Sequence, residues 1–250
     1  MAIEIGAQLY TVRNQMNEGE DAIREGLQKI AEMGYTTVQF SGVQADVGFF
    51  RAECDKNGLS VSATHYPLER MQNEFDAVVA EHETLGCKNI GIGSMPHEFR
   101  TDADGYHTFA RQAQELAKKL RDRGLTLFYH NHRFEFERFG DRTGMEILLE
   151  EAPDLMFMPD VYWFSAAGVN PVNALRKLSG RMVAVHLKDM TVRKDQSIMA
   201  EVGYGNLDMP AIIETAKACG VDIFLVEQDE CERDPYESLA MSAGYLKTVL

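Results

Sequence analysis

Strand-like and helix-like segments alternate along this chain, and the alternation repeats eight times. Short apolar runs of the kind found in buried parallel strands predict strands at Ile3–Leu9, Thr37–Phe40, Leu59–His65, Asn89–Ile92, Leu125–His130, Leu155–Pro159, Met182–Leu187 and Ile223–Glu227. Helical spacing of apolar residues predicts helices at Asp21–Met33, Leu68–Leu85, Tyr106–Arg123, Met145–Glu150, Pro171–Leu178, Met209–Cys219 and Tyr236–Val249. Because parallel strands need crossovers of a dozen or more residues, this order predicts an all-parallel α/β sheet.

The number of repeats indicates that this sheet closes on itself. Eight units in 250 residues have roughly 31 residues each, which suits a (β/α)8 (TIM) barrel. An open, doubly wound sheet is the alternative, but Gln8-Leu9-Tyr10-Thr11 follows the first strand where a dinucleotide-binding sheet has Gly-x-Gly-x-x-Gly. No linker divides the chain, so we predict a single (β/α)8 barrel domain over residues 1–250.

Composition restricts the partners and the compartment. The net charge of -14, from 25 Lys and Arg against 39 Asp and Glu, opposes binding to a polyanion, so we expect no nucleic-acid partner. No basic segment followed by an apolar stretch opens the chain, and no apolar window of about 18 residues occurs, so we expect no export and no membrane association. Scattered cysteines without a Cys-x-x-Cys pair fit reduced thiols in the cytoplasm: Cys54, Cys87, Cys219 and Cys231.

The last four predicted strands end on residues that bind metals. In a barrel these ends meet at one face, and they carry Tyr129-His130-Asn131-His132, Asp160, His186-Leu187-Lys188-Asp189 and Glu227-Gln228-Asp229-Glu230. Asp160, His186 and Glu227 suit a divalent ion such as Mn2+, Co2+, Zn2+ or Mg2+. His130 and His132 alternate with Asn131 and point to the same side of their strand. One of the two imidazoles is expected to bind the metal and the other to transfer protons.

Each of these residues also has a simpler structural interpretation. A single carboxylate at a strand end commonly caps the following loop, and His130 could be a structural imidazole inside the barrel. For Asp189 we favour an ion pair with Lys188 that shapes the loop. The connection from Lys188 to Leu207 has little periodicity and two glycines, so we predict a lid-like loop. Three histidines in helical or connecting segments are interpreted as surface residues: His82, His97 and His107.

Motifs throughout the chain are similar to those of the xylose isomerase-like (AP endonuclease family 2) superfamily. Within it, the chain resembles the bacterial sugar phosphate isomerase/epimerase group. The resemblance rests on Gly6-Ala7-Gln8-Leu9-Tyr10-Thr11-Val12-Arg13, Tyr129-His130-Asn131-His132 with Arg133-Phe134-Glu135-Phe136, Asp160-Val161-Tyr162-Trp163, His186-Leu187-Lys188-Asp189, Glu201-Val202-Gly203-Tyr204-Gly205 and Glu227-Gln228-Asp229. The resemblance implies a metal held by one residue from each of strands five to eight, here His130, Asp160, His186 and Glu227.

This sequence departs from the family pattern at two positions. Many relatives have glutamate where His130 stands, and ketose 3-epimerases have histidine where Trp163 stands. Because only Glu227 remains of the two glutamates that act as acid and base, we do not expect the two-glutamate epimerisation. We predict instead that His132 is the base, that Glu135 orients it, and that Lys188 stabilises a developing enolate. Glu227 is predicted to be catalytic as well as a metal ligand, and the predicted substrate contacts are His65, Trp163, Glu135 and Arg193.

These residues lead to a ranked set of functions. The leading hypothesis is a metal-dependent sugar or sugar phosphate isomerase or epimerase that abstracts a proton next to a polarised carbonyl. The alternative is a lyase or dehydratase that eliminates from a keto-sugar or 3-keto-glycoside at the same site. A non-catalytic sugar-binding barrel is a further alternative, and the charge of -14 argues against an abasic-site endonuclease. The expected partner is a small sugar, and the sequence leaves open a homo-oligomer.

Overall fold

The centre of the fold is a nearly closed barrel of eight parallel strands, seen in a computed structural model that describes residues 3–250. The strands are β1 Glu4–Gln8, β2 Thr37–Phe40, β3 Ser60–His65, β4 Asn89–Ile92, β5 Thr126–His130, β6 Arg138–Phe139, β7 Arg142–Thr143, β8 Met156–Met158, β9 Val185–Leu187, β10 Asp189–Arg193, β11 Gln196–Ala200 and β12 Ile223–Val226. The order around the barrel is β8-β5-β4-β3-β2-β1-β12-β9. Isolated bridges from Phe157 to Met182 and from Asp160 to His186 join the two end strands. The predicted (β/α)8 barrel is confirmed.

Helices surround the barrel and cover its outer face. They are α1 Arg13–Met16, α2 Glu20–Glu32, α3 Val47–Lys56, α4 Leu68–Asn73, α5 Phe75–Leu85, α6 Ala103–Arg121, α7 Gly144–Glu151, α8 Val161–Ala166, α9 Pro171–Lys177, α10 Met209–Ala218 and α11 Pro235–Val249. Three of these helices are capped by the aspartate that precedes them. The side chains of Asp46, Asp102 and Asp234 accept hydrogen bonds from backbone N–H groups in the first turns of α3, α6 and α11. None of the helices in residues 3–250 is both long and apolar enough to cross a membrane.

The predicted helix Leu68–Leu85 is two helices in the structure. It is interrupted at Glu74, whose φ of -122° and ψ of 36° are not helical. Neither glycine nor proline stands at this position, so no local sequence signal marks the break. The short helices α3 and α8 were also not predicted, and α8 begins directly after Asp160, at the predicted site.

Small and large side chains together fill the interior of the barrel. Ala63, Phe128, Met158, Ala184 and Leu225 form a separate buried cluster inside it. A Cβ atom at Gly91 would lie 2.2 Å from the ring of Phe128, so this strand position needs glycine to admit the ring. The barrel is therefore a packed core, and a ligand has room only beyond the strand ends.

The prediction of an irregular, lid-like loop from Lys188 to Leu207 is wrong over much of that segment. Strands β10 and β11 form an antiparallel hairpin that turns at Lys194 and Asp195, both with positive φ. The carboxylate of Asp189 accepts hydrogen bonds from four backbone N–H groups, at Met190, Gly203, Gly205 and Leu207. Asp189 thus shapes this segment through backbone contacts, and the structure has no ion pair between Asp189 and Lys188.

Candidate metal centre and active site

Four predicted ligands meet at the carboxyl ends of the last four barrel strands. His130 ends β5, Asp160 follows β8, His186 lies in β9 and Glu227 follows β12. Each offers one nitrogen or oxygen atom, and these four atoms all lie within 4.8 Å of one another. All four side chains are buried. The sheet register explains this convergence, because parallel strands of a barrel end at the same face.

The four residues fit a divalent cation. Each keeps one buried atom without a hydrogen-bond partner: His130 Nδ1, Asp160 Oδ2, His186 Nδ1 and Glu227 Oε2. Asp160 Oδ2 and Glu227 Oε2 lie within 3.0 Å of Lys188 Nζ, and His186 Nδ1 lies 3.0 Å from Glu227 Oε2, so these contacts are electrostatic and without hydrogen-bond geometry. His130 Nδ1, in contrast, makes no hydrogen bond and no ion pair with any described residue. Two imidazole nitrogens and two carboxylate oxygens are a donor set that Mn2+, Co2+ and Zn2+ accept. A cation among them would satisfy all four atoms at once.

Neighbouring groups orient two of these ligands. His186 Nε2 lies 2.6 Å from Gln39 Oε1, and because an amide oxygen only accepts hydrogen bonds, Nε2 carries the proton. His186 Nδ1 then keeps its lone pair and lies 3.0 Å from Glu227 Oε2. Asp160 Oδ1 accepts the backbone N–H of Trp163 at 3.1 Å and caps α8, which leaves Oδ2 for a ligand. Such outer contacts fix the direction of metal ligands.

Lys188 supplies a positive charge inside this cluster. Its Nζ lies 3.0 Å from Asp160 Oδ2, 2.9 Å from Glu227 Oε2 and 2.9 Å from Asp229 Oδ2, and only the last contact has hydrogen-bond geometry. Burial disfavours the ammonium, but the three carboxylates outweigh it and hold the pKa of Lys188 well above its ordinary value. Lys188 is thus a charged group that partly neutralises the buried carboxylates.

A cavity of about 570 Å3 lies over the cluster, which we call the first cavity. Its size is that of a small-molecule site. Four residues with a predicted role at the site line it: His65, His130, His132 and Glu227. Lys188 does not line the first cavity and is fully buried beneath the carboxylates.

His132 lines the first cavity, and its Nδ1 is buried behind that surface. Its Nδ1 has no hydrogen-bond partner among residues 3–250. Burial lowers the pKa of His132 to about 4, so the imidazole is neutral near pH 7 and can accept a proton. Glu135 does contact this residue, but through the backbone: Glu135 Oε2 accepts the N–H of His132 at 2.8 Å, and Oε1 accepts the hydroxyl of Tyr129. Glu135 therefore holds the chain at His132 and does not bond to its ring.

His65 lies in the wall formed by the earlier strands. Its Nδ1 is 3.2 Å from Ser41 Oγ, and its Nε2 has no partner among the described residues. Burial lowers the pKa of His65 to about 3. The His65 ring centre is 5.6 Å from that of His130 and 6.1 Å from that of His186. A ligand over the cluster would therefore meet this neutral imidazole as well as that of His132.

Two predicted substrate contacts lie outside the first cavity. Trp163 packs with its ring centre 5.2 Å from that of His132 but lines a neighbouring cavity. Arg193 is on the hairpin, where its side chain is 61% exposed and pairs with Glu232 at 2.8 Å. The structure does not bring Arg193 to the cluster, because the hairpin directs that part of the chain into a different groove.

The interpretation of His82 as a surface residue is wrong. His82 is buried, its Nε2 lies 2.7 Å from Thr64 Oγ1, and its Nδ1 lies 2.8 Å from the carbonyl oxygen of Val78. It is therefore a structural link between α5 and β3. His97 is exposed as predicted, whereas His107 is half-buried and pairs with Glu151.

Two further residues of the site had no predicted role. Gln39 is buried in β2 and contacts His186, and the signal for it was a polar side chain inside the apolar run Thr37–Phe40. Asp229 lies beside Glu227 and binds Lys188. Its position two residues after a predicted ligand was visible in the sequence, but its partner was not.

Comparison with known proteins identifies the family. Residues 27–248 match the model of a family described as xylose isomerase-like TIM barrel. The chain belongs to this family. That assignment agrees with the barrel and with the cluster at its strand ends, and it makes an enzyme the expected class of protein.

Named relatives carry out different reactions. Inosose dehydratase of Clostridium beijerinckii is 20% identical over 267 residues, which cover 91% of this chain and 90% of that protein. A sugar phosphate isomerase/epimerase from Parabacteroides distasonis superposes with a TM-score of 0.82 at 22% identity, covering 98% of each chain. L-ribulose 3-epimerase superposes with a TM-score of 0.77 at 16% identity, covering all of this chain and 95% of the other. At these identities the structural matches establish the fold alone.

Proposed function

We propose that the protein is a divalent-metal-dependent enzyme that abstracts a proton next to the carbonyl of a sugar or sugar derivative, with isomerisation or epimerisation as the outcome. The observation that carries this proposal is the convergence of four buried residues, His130, Asp160, His186 and Glu227, whose ligand atoms all lie within 4.8 Å of one another. These residues would hold the metal. A bound divalent cation would polarise the carbonyl and lower the pKa of the adjacent C–H.

His132 is the proposed base. It lines the first cavity, and its imidazole is neutral near pH 7. These properties are what proton abstraction requires of a general base. Glu135 fixes the backbone at His132 and so positions the base without taking part in the proton transfer.

The buried ammonium of Lys188 would stabilise the negative charge that develops on the substrate oxygen. Lys188 lies under the first cavity, within 3.0 Å of two proposed metal ligands. Its ammonium favours an enolate through space, since electrostatic stabilisation is strong in a buried site. Glu227 stays ionised, because Lys188 and His186 outweigh burial and hold its pKa well below the ordinary value. It therefore serves better as a ligand than as an acid.

Elimination is the second candidate function. The observation that favours it is the similarity to inosose dehydratase over 91% of this chain. Both reactions begin with abstraction of a proton next to a carbonyl, and they differ in whether a β-hydroxyl then leaves. In the elimination, the proton that His132 takes from the C–H would pass to the β-hydroxyl, which would leave as water, so no further proton donor is needed.

One experiment tests both candidates. The Mn2+-loaded protein is incubated in D2O with a panel of ketoses and cyclic polyol ketones, and the products are analysed by mass spectrometry. Deuterium uptake without loss of water indicates isomerisation or epimerisation, and loss of water indicates elimination. His132→Gln should slow both reactions by about a hundredfold or more, and His107→Gln, on the outer surface of the barrel, should slow neither. If the panel gains no deuterium and loses no water, a non-catalytic sugar-binding barrel is favoured.

A further inference from the structure

A second cavity of about 550 Å3 lies beside the first, and Glu230 lines both. Its other walls come from α8, through Tyr162 and Trp163, and from the hairpin, through Gln196 and Ser197. The first cavity alone has the volume of a complete small-molecule site. A single sugar ring over the metal ligands therefore leaves the second cavity unused.

Trp163 gives the second cavity an aromatic wall at a fixed position. Its backbone N–H is bound by the proposed ligand Asp160 at 3.1 Å, and its ring centre is 5.2 Å from that of His132. The indole ring therefore offers this cavity an aromatic surface held in place from both the backbone and the His132 side, and such a surface suits the apolar C–H face of a sugar ring.

The charges around the second cavity balance. The guanidinium of Arg133 has neither a hydrogen bond nor an ion pair with any described residue, and the carboxylate of Glu230, which lines the same cavity, offsets its charge. Glu232 is already paired with Arg193 at 2.8 Å. A phosphate monoester carries nearly two negative charges and is bound by clustered cations. This cavity has no excess of cations and suits an uncharged, hydroxyl-rich ligand.

The first cavity is no better suited to phosphate. The guanidinium of Arg13 donates to the backbone carbonyls of Tyr10 at 2.6 Å and Asp229 at 3.2 Å. The carboxylates of Asp229 and Glu230 also line this cavity. Negative charges within the same cavity would repel a phosphate.

We propose that the second cavity is a subsite for a second, uncharged sugar ring, so that the substrate is a neutral glycoside. This inference rests on the proposed function, because it places the reacting ring over the metal ligands. The second ring then lies with its C–H face against the indole of Trp163. The linkage between the rings passes Glu230, the residue that both cavities share.

A matched series of ligands tests this assignment. Several 2-ketohexoses are each offered to the Mn2+-loaded protein as the free sugar, the 6-phosphate and the 6-O-glucoside, for which isomaltulose is the fructose member. Binding is followed by calorimetry, and proton exchange by deuterium uptake. The glucoside should bind about tenfold more tightly than the free ketose, as expected for one added aromatic contact. The phosphate should bind more weakly than either.

Two hairpin variants connect the preference to the second cavity. Ser197→Trp fills the cavity and should reduce the affinity for the glucoside to that for the free ketose. Thr191→Trp is the control, because Thr191 lies on the same hairpin but lines a different groove, and it should preserve the preference. The Mn2+ affinity of both variants should equal that of the wild type, which shows that the barrel is intact.

Each outcome decides the assignment. Equal affinity for free and glucosylated ketoses, or the tightest binding by a phosphate, overturns the subsite while proton exchange still supports the proposed function. A glucoside preference that survives Ser197→Trp also overturns it. If no ligand binds and none exchanges, the proposed function fails together with the subsite.

Discussion

The two halves of the barrel mouth differ in the kind of polar group they present. The half from β5, β8, β9 and β12 carries His130, Asp160, His186 and Glu227, whose ligand atoms all lie within 4.8 Å of one another; we call it the metal-facing half. The half from β1 to β4 carries neutral groups that contact other side chains, such as Gln39 and Ser41. We call this the supporting half.

The contrast shows how the site divides its tasks. In the metal-facing half, Lys188 already offsets part of the charge of Asp160 and Glu227, and a bound cation would offset the rest and bind the imidazole nitrogens. In the supporting half, Gln39 contacts the ring of His186 and Ser41 contacts the ring of His65. These side chains orient the imidazoles. Substitutions in the metal-facing half should therefore affect metal binding and turnover most, and those in the supporting half should have weaker effects.

The largest effect is expected from the carboxylates of the metal-facing half. Asp160→Asn and Glu227→Gln should each lower turnover by about a thousandfold or more, because they remove a charged ligand and its electrostatic contribution. The amide that replaces the Asp160 carboxylate keeps a side-chain oxygen for the N–H of Trp163, so α8 should stay capped. Turnover on the ketose found in the D2O panel measures the effect. Near-native turnover in both variants would remove the distinction between the halves.

The proposed base should come next. His132→Gln should lower kcat by about a hundredfold to ten-thousandfold, which is the usual contribution of a general base. Its Mn2+ affinity should stay near that of the wild type, since His132 is not among the four ligands. If metal affinity falls in parallel with kcat, His132 is a ligand and His130 has the structural role.

A smaller effect should follow from the supporting half. Gln39→Leu removes the acceptor at 2.6 Å from His186 Nε2 and should weaken Mn2+ binding by about tenfold to a hundredfold. Gln39→Glu serves as the conservative variant, because it keeps an oxygen acceptor. Calorimetric titration measures both. A loss as complete as that in Asp160→Asn would contradict the division of tasks.

Lys188 tests the electrostatics within the metal-facing half. Lys188→Met removes the ammonium that lies within 3.0 Å of Asp160 and Glu227, so a divalent cation should bind about tenfold more tightly. Turnover should fall, because the cation that favours the enolate is lost. The matched control is Lys217→Met on the outer surface, where both quantities should stay unchanged. Weaker metal binding in Lys188→Met would show that Lys188 supports the ligands instead of competing with the metal.

The smallest expected effect is on stability at acid pH. Burial lowers the pKa of His132 to about 4 and that of His65 to about 3, from an ordinary value of 6.5. Between these pKa values the unfolded chain binds more protons than the folded chain. The contribution of the two histidines to the free energy of unfolding is therefore highest above pH 6.5 and decreases as the pH falls. From pH 6.5 to 5.5 each histidine should remove about 1 kcal/mol from the free energy of unfolding.

Denaturation of the metal-free protein in urea at several pH values measures this slope. His132 and His65 contribute equally to this slope between pH 6.5 and 5.5. His65→Asn, in the supporting half, should therefore remove half of their joint contribution. A free energy of unfolding that rises toward pH 5.5 would contradict the assignment of buried, neutral imidazoles.

Much of the barrel could be predicted because its signals are local. Buried strands such as Thr126–His130 are short apolar runs, and the crossovers that parallel strands require then fix the connections. The strand-end ligands followed from the same pattern, since barrel topology alone brings Asp160, His186 and Glu227 to one face. Predicted bounds differ from observed ones by a few residues at β9, where the apolar run is longer than the paired strand Val185–Leu187.

Contacts between distant segments could not be predicted. The bond between Gln39 and His186 joins residues 147 positions apart, and the contact of Lys188 with Asp229 spans 41 positions. The hairpin was missed although Asp189–Arg193 alternates polar and apolar residues, because Gln196–Ala200 has no such alternation and the pairing of the two strands is not visible in the sequence. His82 was misplaced for the converse reason: its helix buries a polar side chain that finds its partners only in the folded chain.

The central claim is that four strand-end residues form a divalent-metal site, and Mn2+ titration of the metal-free protein tests it most directly. Calorimetry and metal analysis after dialysis should show one Mn2+ ion per chain in the wild type and none in the Asp160→Asn/Glu227→Gln double variant. Circular dichroism of the double variant should be unchanged, which separates loss of the site from loss of the fold. No bound metal in the folded wild type, or equal binding by both proteins, would contradict the claim.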